Sequence, residues 1–156
     1  MRLGRHGRLA VLVATLVVLL AACSAPATPP GGSVGPRLGA LTGTTWRVVT
    51  VNGRVPVAGG KPTAIFTATQ VTGSAGCNHY GGTYAFDAST GAIVFREMGM
   101  TAMACAEPAR NDFEMLFSQA MGQVNTAAID PAGRLVLSGP TGQVVLVLDQ
   151  QRAVEG

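Results

Sequence analysis

Two short stretches hold most of the side chains able to do chemistry. Gly73-Ser74-Ala75-Gly76-Cys77-Asn78-His79-Tyr80-Gly81-Gly82-Thr83-Tyr84 and Thr101-Ala102-Met103-Ala104-Cys105 contain every cysteine, histidine and tyrosine beyond residue 23. A thiol nucleophile would pair Cys77 with His79 as base. Residues two apart share a face only in an extended strand, and no orienting carboxylate is adjacent in sequence, so this chemistry is disfavoured. A soft-metal centre is better supplied, because Cys77, Cys105, His79, Met98, Met100 and Met103 are donor types that suit Cu(I). Methionines on a strand, however, commonly fill core gaps, and oxidation of the cysteines would remove the thiolates. The third reading is a candidate binding surface made from Asn78, His79, Tyr80 and Tyr84. Against it, Gly76, Gly81 and Gly82 allow tight backbone geometry, Asn78 suits a cap, and the tyrosines suit core or rim positions; this plainer reading is preferred.

These residues must be positioned by strands. Thr45 to Val51 alternates Trp46, Val48 and Thr50 against Arg47, Val49 and Val51, and stops at the turn pair Asn52-Gly53. Thr63 to Ala68 alternates again, with Ile65 opposed to Ala64 and Phe66. Tyr84 and Phe86 share a face before the Ser89-Thr90-Gly91 turn, and Ile93-Val94-Phe95 follows. Asn125 to Ile129, Arg134 to Ser138 and Val144 to Asp149 return to strand patterning, separated by Pro/Gly turns. One segment differs. From Pro108, apolar residues fall at Phe113, Leu116, Phe117, Ala120, Met121 and Val124, the spacing of an amphipathic helix over about residues 108–122. Pro108 suits its first turn, Asp112 and Glu114 lie toward the positive end of the dipole, and Gly122 is a plausible stop. The expected fold is mainly β: one antiparallel sheet curled into a barrel-like domain, with a single packed helix.

The ends of the chain carry an address. Arg2, Arg5 and Arg8 precede an apolar run from Leu9 to Leu20, too short for a membrane span and suited to a signal peptide over residues 1–22. Leu20-Ala21-Ala22-Cys23 resembles a lipobox, which makes Cys23 the expected lipid attachment site and the membrane, through that anchor, the expected partner. Residues 23–40 are a Pro/Gly-rich tether with almost no large apolar side chain. The folded domain is expected over 41–149, with a tail at 150–156. Without the leader arginines, eight basic residues stand against eight acidic ones. The basic balance of the whole chain therefore predicts no nucleic-acid partner.

The order of these features resembles a known family. A tryptophan strand, Gly76-Cys77-Asn78-His79-Tyr80-Gly81-Gly82-Thr83-Tyr84, Met100-Thr101-Ala102-Met103-Ala104-Cys105, a proline, and a helix with Glu114 and Phe117 are together similar to the META domain of the HslJ heat-shock lipoproteins. The resemblance implies a barrel-like fold with one helix, an envelope address, and a link to heat stress and novobiocin resistance. It carries over no catalytic residue, no cofactor and no metal. With Cys23 lipidated, Cys77 and Cys105 remain as an even pair in an oxidising space, so a disulfide is expected, and their motif positions favour it. The resulting expectation is a non-enzymatic lipoprotein on the extracytoplasmic side of a plasma or outer membrane. It would bind an envelope protein or small ligand, with a Cu(I)-binding or thiol-redox protein as the alternative.

Overall fold

The structure, a computed structural model, describes Gly39 and residues 41–151. The expected signal peptide, Cys23, nearly all of the tether and the end of the tail lie outside the described residues. Eight strands and one helix follow in chain order: β1 (Thr44–Val51), β2 (Thr63–Phe66), β3 (Gln70–Ser74), β4 (His79–Phe86), β5 (Ile93–Met100), α1 (Pro108–Gln123), β6 (Thr126–Ile129), β7 (Leu135–Ser138) and β8 (Val144–Gln151). They form one sheet in the order β5-β4-β3-β2-β1-β8-β7-β6, and every pairing is antiparallel. Because β1 pairs with β8, the break in the ring falls between β5 and β6, where α1 is inserted in the chain. The two edges meet at one end only. There Ala92 bridges Thr126, the Ile93 N–H donates to the Asn125 carbonyl at 3.0 Å, and the Ala127 N–H donates to the Gly91 carbonyl at 2.8 Å. The sheet is thus a curled half-barrel whose seam is zipped at one end, and the expectation of a mainly β domain with one helix holds.

Alternation explains the core, with one informative exception. Trp46 and Val48 point inward as expected, but so does Val51, which the two-residue period assigns to the other face. The ladder with β8 pairs Val48 with Leu148 and Thr50 with Val147, leaving Val49 as an extra residue. This bulge flips the inward parity of the strand. In β2 Ala64 and Phe66 are buried and Ile65 is exposed, as its pattern requires. Asn52 and Gly53 take positive φ in a tight turn closed by reciprocal Val51–Arg54 hydrogen bonds of 2.9 Å. A loop through residues 55–62 then delays β2. β3 has no counterpart in the pattern, since Val71 is its sole large apolar residue. β8 runs past Asp149, pairing Gln151 with Thr45, because a backbone ladder does not need apolar side chains to continue.

α1 packs Phe113, Phe117, Ala120 and Met121 into the barrel core, and each buried phenylalanine stabilises by about 1.5–3 kcal/mol. Pro108 opens the helix where its missing N–H costs nothing. Two expectations need correction. No acidic residue lies in the first turn: Asp112 and Glu114 sit one turn later, and Glu114 faces inward beside Phe113. Gly122 does not stop the helix, which runs on to Gln123 and ends as Val124 turns extended to bury its side chain. Among the described residues, no helix is long and apolar enough to cross a membrane.

Candidate functional site

The end of β3, the start of β4, the β5–α1 connection and the first half of α1 meet at one mouth of the barrel. At its centre is Asn78, 4% exposed. Its side-chain carbonyl accepts from the Thr101 hydroxyl and from the Met103 N–H, both at 2.8 Å. Its amide donates to the Met103 carbonyl at 3.0 Å and to Glu114 Oε2 at 2.6 Å. All four hydrogen-bonding positions of the carboxamide are used, and the partners fix which end is oxygen and which nitrogen. By gripping both backbone groups of Met103, Asn78 substitutes for a neighbouring strand along a connection that has no regular structure of its own.

Glu114 completes the junction from the helix side. It is 5% exposed, and its Oε1 accepts from the Cys77 N–H at 2.8 Å and also from the Asn78 N–H. Two successive backbone N–H groups thus hold one carboxylate oxygen, and Gly76, at φ 126°, supplies the backbone geometry that aims them. A buried carboxylate needs such donors to offset its lost hydration. Cys77 and Cys105 are joined in a disulfide with Cα atoms 6.0 Å apart. The Cys105 N–H donates to Asn111 Oδ1 at 3.2 Å, and Cys105 Sγ lies 3.4 Å from Glu114 Oε2.

The four residues of the candidate binding surface do not come together as one face. Asn78 is interior. His79 is exposed, and its backbone is held by Thr101 through hydrogen bonds of 3.1 and 2.9 Å. Tyr80 is buried against Phe117, with ring centroids 5.0 Å apart, and its hydroxyl donates to the Thr63 carbonyl at 2.8 Å. Burial pushes its pKa well above the usual phenol range. Tyr84 lies near the far end of β4, edge-on to Phe66, and its hydroxyl donates to the Thr67 carbonyl. Of the metal donors expected from sequence, Cys77 and Cys105 are joined to each other. The cluster of donor atoms found among the described residues is Cys77, Cys105 and Glu114, without His79.

A second feature lies where the barrel fails to close. Between β5 and α1 a small cleft of about 110 Å³ is lined by Tyr80, Met98, Met100, Phe117, Ser118 and Met121, among others. The strand side of this cleft bends at a bulge, where Glu97 takes φ 53° and the register against Gly81 and Thr83 shifts. Sequence reasoning named the methionines but not their placement at a seam. It also missed the role of Glu114, although a carboxylate three residues before Phe117 and seven before Met121 stands on the apolar face of the helix. That interruption was the available signal.

A small antiparallel half-barrel, seamed by one helix and cross-linked at one mouth, defines the class of fold. The META domain family profile matches residues 39–152, and the chain belongs to that family. Among solved structures, the NMR structure of a protein from Burkholderia xenovorans is similar at 22% identity and a TM-score of 0.61, covering 83% of this chain and 100% of that one. A second NMR structure is similar at 23% identity and a TM-score of 0.53, covering 69% and 89%. Both likenesses concern the fold. Comparison with curated proteins gives no match.

Proposed function

We propose that this chain is a non-enzymatic, extracytoplasmic lipoprotein, anchored through Cys23, whose META domain serves the cell envelope under stress by binding an apolar ligand or protein segment in the β5–α1 cleft. The observation that carries the reading is the cleft itself. It is built from methionine and aromatic side chains, and thioethers adapt their shape to varied apolar partners. The polar junction beside it is satisfied internally, so Asn78, Glu114 and Tyr80 act as scaffold. The disulfide supports an oxidising address. Photo-crosslinking in living cells from a reactive residue at position 98 is expected to trap a partner that the same residue at exposed Val55 does not. Equal capture from both positions rejects the cleft. Mass analysis of the membrane-extracted protein is expected to find a diacylglycerol-modified Cys23 at the new N-terminus, and an uncut, unmodified leader rejects the anchor. A deletion strain is expected to lose heat or novobiocin tolerance and to regain it with the wild-type gene. The alternative Cu(I) or thiol-redox reading draws on the nearness of Cys77 and Cys105, and copper retained only by reduced protein would favour it.

A further inference from the structure

The 3.4 Å contact between Cys105 Sγ and Glu114 Oε2 has no proton to share while the sulfur is held in the disulfide. Both atoms present lone pairs. The other donors reaching this carboxylate are accounted for by two backbone N–H groups on Oε1 and the Asn78 amide on Oε2. One lone pair of a buried, oriented oxygen is therefore aimed at sulfur. Donor atoms of Cys77, Cys105 and Glu114 all lie within 4.8 Å of one another. Cys105 and Glu114 are buried, whereas Cys77 is half-buried and offers a route of entry.

We propose that opening the Cys77–Cys105 bond creates a binding site for a divalent cation of the zinc class, held by both thiolates and a Glu114 oxygen, with water in the fourth position. Two thiolates and a carboxylate form a donor set that such an ion takes in tetrahedral geometry. The hard oxygen distinguishes this site from the soft sulfur and imidazole set expected for Cu(I). Glu114 is already oriented by its three N–H donors, as a metal-bound carboxylate is by its outer partners. The two sulfurs thus serve either as a covalent staple or, when reduced and joined by Glu114, as a metal centre. The redox step balances with a trialkylphosphine as reductant. Its electron pair breaks the S–S bond, phosphorus takes the oxygen of one water, and the two protons of that water go to the sulfurs. Zn²⁺ then displaces both thiol protons to the buffer.

The test uses the full chain in detergent, in its oxidised form and after phosphine reduction, titrated with Zn²⁺ and with Cd²⁺. The reduced chain is expected to take up one equivalent of Zn²⁺ with proton release, and Cd²⁺ to develop thiolate charge-transfer absorption. The oxidised chain is expected to do neither. Cys105→Ser should abolish stoichiometric uptake, and Glu114→Gln should weaken it about tenfold or more. Since Glu114→Gln also alters the hydrogen bonds that Glu114 accepts at the junction, X-ray absorption on reduced wild-type protein provides a second measure. Two sulfurs at about 2.3 Å with lighter oxygen donors are expected. No uptake by reduced wild-type protein, equal uptake by the oxidised form, uptake of Cu(I) but not Zn²⁺, or a shell of four sulfurs each overturns the proposal.

Discussion

Asn78 replaces several absent backbone partners at once, so its chemistry is testable atom by atom. Asn78→Ala strips partners from both backbone groups of Met103 and from Glu114. It is expected to lower unfolding free energy by roughly 2–4 kcal/mol in a urea titration, the range for orphaning buried polar groups. Asn78→Asp keeps the shape but sets a second carboxylate against Glu114 at hydrogen-bond distance. Two adjacent carboxylates resist joint ionisation, so this variant is expected to be weakest near neutrality and to recover towards wild type as pH falls. Thermal melts at several pH values check the direction. Asp130 predicts the opposite trend. Hydrogen bonds from the Arg134 backbone and side chain, with a further one from the Ala132 N–H, hold its carboxyl below the usual aspartate range. A pKa lowered by folding contributes stability above the unfolded-state value, and the contribution is lost as pH falls through the folded-state one. The difference in melting temperature between wild type and Asp130→Asn is therefore expected to be present at neutral pH and to vanish in acid.

Elements add constraints that side chains alone do not reveal. A Cβ on Gly73 in β3 would meet the Thr63 carbonyl oxygen of β2, and one on Gly82 in β4 would meet Met98 Sδ and the Arg96 carbonyl of β5. Gly99 in β5 has open space around its Cβ direction. Gly73→Ala and Gly82→Ala are expected to destabilise by about 2 kcal/mol or more, or to prevent folding, while Gly99→Ala stays within about 0.5 kcal/mol. Denaturant midpoints of the three variants decide the matter. The glycine-rich stretch was legible as a place of tight geometry, yet the reason was not: it lines paired strands, and its glycines admit neighbouring backbones as well as turns. Alternation placed Trp46, Val48, Ala64 and Phe66 correctly because burial on one face writes a period of two into the sequence. It failed at Val51, since a bulge is set by pairing with β8, a strand nearly a hundred residues away. β3 was unreadable for a related reason, as a short strand between two others is stabilised by its ladders. The helix was readable because its apolar stripe spans several turns. What the stripe could not say is that Glu114, the one charged residue on it, receives N–H groups from the Cys77 loop.

At the scale of the whole molecule, the β5–β6 seam has two fastenings of different kinds. One end is zipped by backbone hydrogen bonds around Ala92 and Thr126, and at the other the helix fills the gap, the connection leading into it being tied to the loop before β4 by the disulfide. The bridge joins residues 28 apart in sequence, and closing such a loop contributes about 3.6 kcal/mol on the chain-entropy view. That is a large part of the margin of a small domain. Reduction is therefore expected to lower the denaturant midpoint without abolishing folding, because Asn78 and Glu114 still tie the same segments together. Its local effect should be uneven. Amides of Cys77, Asn78, Met103 and Cys105 depend on this mouth of the barrel, whereas those of the β1–β8 ladder sit beside the buried Val48 and Leu148 pair. Hydrogen exchange of metal-free protein is expected to speed up at the first group on reduction while the second follows only the global change. Uniform acceleration across both groups would mean that the bridge stabilises solely through the unfolded chain, and that Asn78 and Glu114 hold the junction fully without it.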